Sequence, residues 1–257
     1  EAAPELEAPR PDNRAGWDAI SDAYQREFYG ERFGERLMWS RRASEDDLHV
    51  LDEVRGRRAL VLGCGGGQDV VALAKMGAIA IGVDYSPKQI AYAKKYAASL
   101  SAENTSFVEG NAEDLSRFDD ESFDLAVSIY TLDFVERVDA VIAEAARVLK
   151  PGGVLAIAVK HPFDVVVEGG QPYRIARSYW SDHRDQPWDW KDGPSVLLRN
   201  YLRTMSQWFE LLTTAGFLLE RLIEPKEDDL ERGPDDEMDN TWLGLVPYTL
   251  IMKARKR

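Results

Sequence analysis

The hydrophobic pattern changes near residue 56, from helical periodicity to alternating strands and helices. From Ala15 to about Arg42 apolar residues recur at helical spacing, and Ser44–Val54 resembles a second helix with Ser44 as its N-cap. Beyond it, short apolar runs typical of buried strands alternate with amphipathic stretches. The predicted strands are Ala59–Leu62, Ile79–Val83, Thr105–Glu109, Phe123–Ile129, Val154–Val159, Phe217–Ile223 and Thr249–Met252. The predicted helices are Gln68–Met76, Pro87–Leu100, Val138–Leu149 and Met205–Ala215. This alternation predicts an α/β fold with a mainly parallel sheet.

Three stretches depart from the alternation and suggest how the chain is organised. Residues 1–14 are rich in Pro, Ala and Glu and predict a mobile tail, and residues 15–55 predict an N-terminal helical cap. Within the main domain, residues 56–257, the segment 161–203 lacks a clean period and is aromatic, so we expect a lid insert. The polar stretch Glu224–Asp239 and the basic tail Lys253–Arg257 are expected outside the core.

A glycine-rich turn, Gly63–Gly67, connects the first predicted strand to a helix. Glycines let the backbone turn tightly and approach a ligand, and the free N–H groups of a helix start attract anionic groups. The dinucleotide pattern G-x-G-x-x-G does not fit, because Gln68 and Val70 occupy the positions of its third glycine. Asp84 ends the second strand, where a carboxylate can bind ribose hydroxyls. Turn and carboxylate together indicate a site for a dinucleotide or for S-adenosylmethionine.

Five motifs resemble, in order and spacing, those of the class I S-adenosylmethionine-dependent methyltransferases. They are residues 60–67, 82–86, 110–115, 122–125 and 147–153. The segment 199–206 is also similar to bacterial small-molecule methyltransferases. The resemblance is strong over residues 56–160 and weak elsewhere. It implies a seven-stranded, mainly parallel, Rossmann-like sheet whose last strand is antiparallel, with the cofactor over the carboxyl ends of the first strands.

The resemblance also implies which residues hold S-adenosylmethionine and its product S-adenosylhomocysteine. Backbone groups of Gly63, Cys64 and Gly65 would hold the methionine end, and Asp84 the ribose. The other implied or suspected cofactor residues are Tyr24, Gln68, Tyr85, Asn111, Ala112, Glu113 and Ser128. Tyr85 would pack beside the adenine, Asn111 and Ala112 would bind its edge, and the Ser128 carbonyl would approach the methionine amino group.

Two departures from the family pattern affect this site. Val61 stands where the family usually has an acid that contacts the amino-acid end of the cofactor. Gln68, Tyr24 or Arg41 would have to compensate. Asn111 stands where an Asp is usual, and its amide oxygen can still accept a hydrogen bond from the adenine amino group.

Candidate catalytic groups follow the fourth and fifth predicted strands. A base is needed only if the acceptor is protonated at the attacking atom. We favour His161, at the mouth of the cleft, as that base; the alternative is a loop histidine bonded to backbone. Tyr130 could orient the acceptor or form an aromatic wall. Asp133 could be a base or a solvated loop carboxylate.

The acceptor is expected to bind under the aromatic insert. The predicted acceptor residues are Tyr130, His161, Tyr179, Trp180 and Tyr201. Trp188 and Trp190 offer further flat walls, which would form either a pocket or ordinary lid packing. His183 is a weaker candidate base and His49 a structural residue. Three scattered histidines and one cysteine provide no metal signature.

Composition narrows the classes of partner. The 257 residues contain 32 basic and 45 acidic side chains, a formal charge of −13, which disfavours nucleic acid and anionic lipid as partners. The single cysteine, Cys64, and the absence of a transmembrane-length apolar run or a signal-peptide pattern favour a cytoplasmic protein.

The sequence therefore predicts a methyltransferase, monomeric or homodimeric, that acts on an O, N, S or C atom of a small organic acceptor without a metal. Three alternatives stay open: a protein that holds the cofactor without transferring methyl, such as a cyclase or binding module; a protein methyltransferase; and a nicotinamide oxidoreductase. The negative net charge is evidence against an RNA methyltransferase. The absence of the third glycine of the G-x-G-x-x-G pattern is evidence against the oxidoreductase.

Overall fold

A computed structural model describes residues 10–29, 35–168, 174–226 and 246–257. The strands are β1 (Arg58–Leu62), β2 (Ile79–Asp84), β3 (Thr105–Glu109), β4 (Phe123–Ile129), β5 (Leu149–Lys160), β6 (Val167–Glu168), β7 (Arg174–Ile175), β8 (His183–Trp188), β9 (Val196–Tyr201), β10 (Phe217–Ile223) and β11 (Thr249–Lys256). The α-helices are α1 (Asn13–Tyr24), α2 (Glu45–Leu48), α3 (Gln68–Lys75), α4 (Pro87–Ser99), α5 (Val138–Val148) and α6 (Met205–Thr214).

Seven of these strands form one sheet in the order β10-β11-β5-β4-β1-β2-β3. The neighbours among β1 to β5 pair in parallel, whereas β11 is antiparallel to both β5 and β10. The expected α/β sheet with an antiparallel last strand is thus confirmed. Because parallel strands end at the same edge, the loops after β1, β2, β4 and β5 converge there.

The core lies in two apolar layers, one on each face of the sheet. Leu60 and Leu62 enter one layer, whereas Ala59 and Val61 enter the other, as the alternation of side chains along a strand requires. Val61 is fully buried and lies inside the second of these layers.

The N-terminal cap differs in detail from the prediction. Helix α1 begins at Asn13, two residues early, because the Asp12 carboxylate accepts a hydrogen bond from Ala15 N at 3.0 Å. It continues as a single π-helical turn, Gln25–Tyr29. The second predicted helix is only four residues long, since His49 adopts φ 46° and ends it. Residues 1–9 of the predicted tail lie outside the described residues.

The aromatic insert contains regular structure that the sequence did not indicate. Strands β8 and β9 pair as an antiparallel hairpin, and the shorter pair β6 and β7 precedes it. The hairpin packs on α1, where Asn13 donates to Arg199 O and accepts from Arg199 N, both at 2.8 Å. Buried Leu198 packs against buried Ile20 in the same interface.

One C-terminal prediction was also incomplete. The segment Lys253–Arg257, expected as a basic tail, continues β11 as far as Lys256, and the Lys253 ammonium is buried against Asp52 at 2.7 Å. Most of the predicted polar stretch, residues 227–239, lies outside the described residues. Within the described part of the chain, no helix has both the length and the apolar character needed to cross a membrane.

Candidate active site

Four connected cavities follow the carboxyl edge of the sheet. We name them after residues in their walls. The Asn111 chamber, about 250 Å³, is lined by Asp84, Tyr85, Asn111, Ala112, Glu113 and Tyr201, among others. The glycine chamber, about 80 Å³, includes Gly63, Cys64, Gly65, Gln68, Asp84 and Tyr130. The aromatic chamber, about 330 Å³, includes Trp17, Tyr24, Tyr130, Lys160, Trp188 and Trp190. The basic chamber, about 240 Å³, includes Arg41, Lys160, Asp164, Arg184, Gln186 and Tyr248.

Shared walls set the order of these chambers. Asp84 and Tyr85 line both the Asn111 and glycine chambers. Gln68, Asp69 and Tyr130 line both the glycine and aromatic chambers. The aromatic and basic chambers share Arg41, Lys160, Gln186 and Tyr248. The edge of the sheet therefore carries one continuous groove with a narrow middle.

The glycine turn forms the floor of that narrow middle. Gly63 and Gly65 have φ of +70° and +47°, a conformation that side chains with a Cβ rarely adopt. A Cβ at Gly63 would lie 2.0 Å from Thr131 Cγ2, so the turn packs closely against the loop after β4. At Gly65 nothing lies nearer than 3.9 Å, which leaves that backbone open toward the chamber.

Asp84 connects the turn to the end of β2. Its Oδ2 accepts from Gly65 N and its Oδ1 from Ser86 N, both at 2.9 Å. Burial raises the pKa of this carboxyl, and the backbone donors oppose that effect. A carboxylate can accept about four hydrogen bonds, so Asp84 retains acceptor capacity for a ligand hydroxyl although Tyr85 N also donates to it.

A chain of three glutamines covers the turn from the side of α1. Gln68 Nε2 donates to Gln25 Oε1 at 2.7 Å, and Gln25 Nε2 donates to Gln89 Oε1 at 2.8 Å. Gln25 lies so close to Gly66 that a Cβ there would be 2.3 Å from its Oε1. The π-helical turn after α1 thereby places an amide directly over the glycine turn.

Asp69, in the first turn of α3, carries a half-buried carboxylate at the junction of the glycine and aromatic chambers. No hydrogen bond or ion pair joins its side chain to the residues that the structure describes. Burial raises the pKa of Asp69 from 3.8 to about 7. The groove thus contains a negative charge that has no protein partner in the described structure.

Tyr130 lies at the same junction, directly after β4. It has φ of +51°, a left-handed conformation that is uncommon for a large side chain. Its hydroxyl is 2.5 Å from Thr249 Oγ1 at the start of β11. Backbone strain of this kind is characteristic of functional sites, where the surrounding structure holds one side chain in place.

Aromatic rings of α1 and the hairpin form the walls of the aromatic chamber. The Trp17 ring lies 5.0 Å from Tyr24 and 5.3 Å from Trp188, measured between centroids. Trp188 and Trp190 lie 6.0 Å apart, and Tyr24 contacts Trp190 edge to face at 5.7 Å. Such walls suit an apolar or aromatic ligand and keep water away from it.

Comparison with known proteins identifies the domain that carries this groove. A sequence family described as "methyltransferase domain" matches residues 60–157, which include the glycine turn, Asp84, Asn111 and Tyr130. Residues 60–157 are therefore a methyltransferase domain.

Curated relatives agree with that assignment over part of their length. An uncharacterised methyltransferase from Synechocystis is 38% identical over 108 residues, which are 41% of this chain and 48% of that protein. A ubiquinone biosynthesis O-methyltransferase from Sinorhizobium fredii is 35% identical over 105 residues, or 41% of this chain and 42% of that protein. The matches span about half the length of the first curated relatives.

Solved structures share the fold over most of the chain. An S-adenosylmethionine-dependent methyltransferase from Mesorhizobium loti has a TM-score of 0.64 at 24% identity, covering 81% of this chain and 95% of that one. The cyclase SpnF has a TM-score of 0.65 at 20% identity, covering 97% of both chains. The same fold therefore occurs in a protein described as a cyclase.

The groove of this methyltransferase domain brings together most of the cofactor residues expected from the sequence. Ten of them line the Asn111 or glycine chamber: Tyr24, Gly63, Cys64, Gly65, Gln68, Asp84, Tyr85, Asn111, Ala112 and Glu113. Asn111 Oδ1 accepts from Glu113 N at 3.0 Å, which fixes the amide at the chamber wall. Ser128 is not among the described lining residues: it is fully buried, and its hydroxyl donates to Leu62 O at 3.1 Å.

The walls fit S-adenosylmethionine. The open backbone at Gly65 and the free acceptor positions of Asp84 suit an adenosyl group. The carboxylate of Asp69, which has no described partner, suits a cationic group at the junction of the glycine and aromatic chambers.

The predicted catalytic residues are placed differently from one another. Tyr130 lies in the groove, whereas the side chains of His161 and Asp133 are not among the described residues that line it. His161 Nε2 lies 2.8 Å from Glu224 Oε1, and its Nδ1 accepts from Phe163 N at 3.1 Å. Burial lowers the pKa of His161. Both ring nitrogens are therefore engaged within the protein.

Asp133 is buried beneath the loop after β4. Its Oδ2 accepts from Lys160 N at 3.2 Å, and burial raises its pKa to about 6. A solvated loop carboxylate, the alternative considered for this residue, does not describe it.

The predicted acceptor residues of the insert do not form one group. Trp180 is 82% exposed, and the Tyr179 hydroxyl accepts from Met205 N at 3.2 Å. Tyr201 lines the Asn111 chamber, at the opposite end of the groove from the basic chamber. Trp188 and Trp190, considered for either packing or a pocket, line the aromatic chamber and also pack on α1.

Several polar residues of the groove were missed, among them Gln25, Asp69 and Lys160. Lys160 directly precedes His161 at the end of β5, and its side chain lines both the aromatic and basic chambers. Asp69 directly follows Gln68 in the motif. The polar character of both residues, within or beside a recognised sequence element, was visible in the sequence. Which chamber each one lines depends on the folded chain.

Proposed function

We propose that this protein transfers the methyl group of S-adenosylmethionine to a small-molecule acceptor bound in the aromatic chamber. The observation that carries the proposal is the continuity of the groove: a chamber suited to an adenosyl group opens, past Asp69 and Tyr130, into an aromatic chamber. Its volume, about 330 Å³, lies within the range of small-molecule sites, about 300–1,000 Å³. The name of the Sinorhizobium relative, an O-methyltransferase of quinone biosynthesis, supports a small acceptor.

Each end of the cofactor has a matching part of the groove. Asn111 and Ala112 would bind the adenine edge, and Tyr85 would pack beside it. Asp84 would accept hydrogen bonds from the ribose hydroxyls. Charge-assisted hydrogen bonds of this kind contribute about 1.5–3 kcal/mol each.

Asp69 would supply the negative charge that the family usually has at position 61. Val61 is buried in an apolar layer, so it offers nothing to the ammonium group of the methionine end. Asp69 reaches the same narrow chamber from the first turn of α3 and has no described partner of its own. A bound ammonium would neutralise a carboxylate that is otherwise costly to bury.

The remaining groove residues would position the acceptor and exclude water. When bound, the cofactor supplies an electrophilic methyl group on sulfur. Trp17, Tyr24 and Phe134 line both the glycine and aromatic chambers and keep their junction dry. Tyr130, held by Thr249, would fix the orientation of the acceptor at that junction.

The proposal is tested in two steps with the purified chain of 257 residues. Isothermal titration calorimetry with S-adenosylmethionine and S-adenosylhomocysteine measures cofactor binding, with Asp84→Asn as the variant and Asp139→Asn, an exposed carboxylate on α5, as its matched control. Incubation with trideuteromethyl-labelled cofactor and a panel of phenols, amines and thiols, read by mass spectrometry, measures transfer.

We expect binding of both cofactors, a loss of about tenfold or more in Asp84→Asn, and a labelled product with released S-adenosylhomocysteine. If neither cofactor binds, the proposal fails. Tight binding without labelled product from any acceptor would favour the alternative of a protein that uses the cofactor without transferring its methyl group.

A further inference from the structure

The basic chamber at the far end of the groove concentrates positive charge in an acidic protein. Among its described lining residues, Arg41, Lys160 and Arg184 are cationic and Asp164 is the one carboxylate. The whole chain has a formal charge of −13. A cluster of opposite sign, enclosed at the end of a groove, is therefore a local feature and does not follow from composition.

Lys160 is the innermost of these cations. It is the last residue of β5, and its ammonium forms no hydrogen bond or ion pair with the described residues. Burial lowers its pKa, opposed by the nearby Asp133 and Asp164 and supported by Arg41 and Arg184. A half-buried ammonium without a hydrogen-bonded partner is costly, so a ligand that brings a negative charge would be favoured there.

Strand β8 of the hairpin carries both Arg184, the second cation, and Trp188 of the aromatic chamber. Arg184, Gln186 and Trp188 alternate along β8 and so lie on one face of the strand. That face lines the groove: Trp188 belongs to the aromatic chamber, Arg184 to the basic chamber, and Gln186 to both. Trp188 and Arg184 are thus about 13 Å apart along a single strand, with Gln186 between them.

Arg41 completes the chamber from the N-terminal cap. Its guanidinium lies 4.8 Å above the Tyr248 ring, which orients it beside the end of β5. Guanidinium groups bind carboxylates through two parallel hydrogen bonds, which adds direction to the attraction of charge.

We infer that the acceptor is an aromatic acid, whose ring lies in the aromatic chamber and whose carboxylate binds among Lys160, Arg41 and Arg184. This inference rests on the proposed function, since it assigns the acceptor of the same groove. With a neutral acceptor the Lys160 ammonium would stay without a partner among the described residues, and a cationic acceptor would be repelled by it.

The test measures carboxylate preference at the acceptor site, with protein saturated with S-adenosylhomocysteine. Calorimetry compares three carboxylates with their neutral amides: benzoate with benzamide, 4-hydroxybenzoate with 4-hydroxybenzamide, and 2-naphthoate with 2-naphthamide. Lys160→Met removes the charge and keeps the apolar stem. Lys95→Met, on the exposed face of α4, is the matched control.

We expect at least one carboxylate to bind about tenfold or more tightly than its amide in the unmodified protein and in Lys95→Met. In Lys160→Met that ratio should fall to about two or less, while affinity for the amide and for S-adenosylhomocysteine stays within about twofold. Arg184→Gln, on the hairpin, should lower the same ratio and serves as the second variant if Lys160→Met unfolds.

Three results would overturn the inference: no carboxylate of the panel binds, amides bind as well as carboxylates, or both variants retain the full preference. The initial titration separates this failure from a failure of the proposed function. Absence of S-adenosylhomocysteine binding contradicts the proposed function, whereas its binding without a carboxylate preference contradicts only the aromatic acid.

Discussion

Under the proposed function, Asp69 would link the stability of the protein to cofactor binding. Burial raises the pKa of its carboxyl from 3.8 to about 7. A group whose pKa is raised on folding stabilises the folded state fully below its unfolded pKa, and this contribution disappears as the pH rises through the folded value. Between about pH 4 and pH 7 the cofactor-free protein should therefore lose stability because Asp69 must ionise in the groove.

Substitution Asp69→Asn should separate the two effects. At pH 8 we expect the free energy of unfolding of the cofactor-free protein to rise by about 1–2 kcal/mol, since the desolvated charge is gone and partial exposure moderates the gain. At pH 4 the difference should be close to zero. Urea denaturation at both pH values measures it, with Asp139→Asn as control.

The pH dependence of cofactor affinity should have the opposite sign. Binding of a cationic group favours the ionised carboxylate, so affinity for S-adenosylhomocysteine should rise by up to about tenfold between pH 6 and pH 8. Asp84 also has a raised pKa and contributes to this pH dependence. The variant Asp69→Asn separates the two contributions: its affinity for S-adenosylhomocysteine at pH 8 should be lower, and that affinity should depend less on pH. A variant profile identical to that of the unmodified protein would remove Asp69 from the cofactor site.

His161 presents a similar choice between a structural and a catalytic role. Replacement His161→Ala leaves Phe163 N and Glu224 without a partner, so we expect it to lower the free energy of unfolding by about 1–3 kcal/mol. Cofactor affinity should hardly change. Unfolding curves and turnover per folded molecule are the measurements; lost turnover with unchanged stability would support the predicted role as a base.

Lys160 and His161 show that the sequence position of a residue can place it at the edge of the sheet without giving the direction of its side chain. Both residues lie at the carboxyl end of β5, where a ligand-binding group was expected. The prediction favoured His161 because a histidine can accept a proton near neutral pH. Neighbouring side chains point in different directions at a strand end, and only Lys160 enters the groove. The edge was predictable from the motif, but the direction of each side chain depends on the packing of β11 and the hairpin.

Among the elements, α1 and the β8–β9 hairpin form a unit that covers the groove. Trp188 contacts Trp17 and Phe134, with ring centroids 5.3 and 6.0 Å apart, and Leu198 packs on Ile20. These contacts are apolar and lie outside the sheet, so α1 and the hairpin should open together.

Truncation of Trp188 tests this coupling. In Trp188→Ala we expect faster amide hydrogen exchange, by about tenfold, in both α1 and the hairpin, because each loses the same packing partner. Exchange in β1, β4 and β5 should stay as it is, which hydrogen–deuterium exchange mass spectrometry can resolve. Faster exchange in the hairpin alone would show that the two elements move independently.

The elements of the sheet were predictable because their signals are local. Strands β3, β4 and β10 have the predicted bounds, and the glycine turn and Asp84 occupy the predicted ends of β1 and β2. The hairpin was not predicted, because β8, with the sequence HRDQPW, has few apolar residues and draws its stability from α1. The second helix was overextended, since the left-handed conformation of His49 is not apparent in its residue type.

At the scale of the whole molecule, an aromatic acid experiences two opposite electrostatic effects. The acidic surface repels it at long range, and the basic chamber attracts it at short range. The formal charge of −13 repels an anion during its approach, whereas the cluster at Lys160 attracts it once it is inside. Charges separated by more than about 10 Å are screened at 0.1 M salt, so the approach is affected more strongly than the enclosed contact.

Salt should therefore accelerate entry of the acceptor. We expect the association rate of 2-naphthoate to rise by about twofold or more between 20 and 200 mM NaCl, and that of neutral 2-naphthamide to stay constant. Stopped-flow tryptophan fluorescence, which Trp188 and Trp190 should provide, measures both rates. A carboxylate rate that falls with salt would mean that the basic chamber governs the approach as well.

Trp17 and Tyr24 line both the glycine and the aromatic chambers, and under the proposed function this common wall should impose an order on catalysis. An occupied aromatic chamber would hold α1 against the sheet, with Gln25 closed over Gly66, and would trap the nucleotide beneath it. The methylated product should then depart first and S-adenosylhomocysteine last. In steady-state terms we expect a sequential ordered scheme in which S-adenosylhomocysteine inhibits competitively against S-adenosylmethionine and non-competitively against the acceptor.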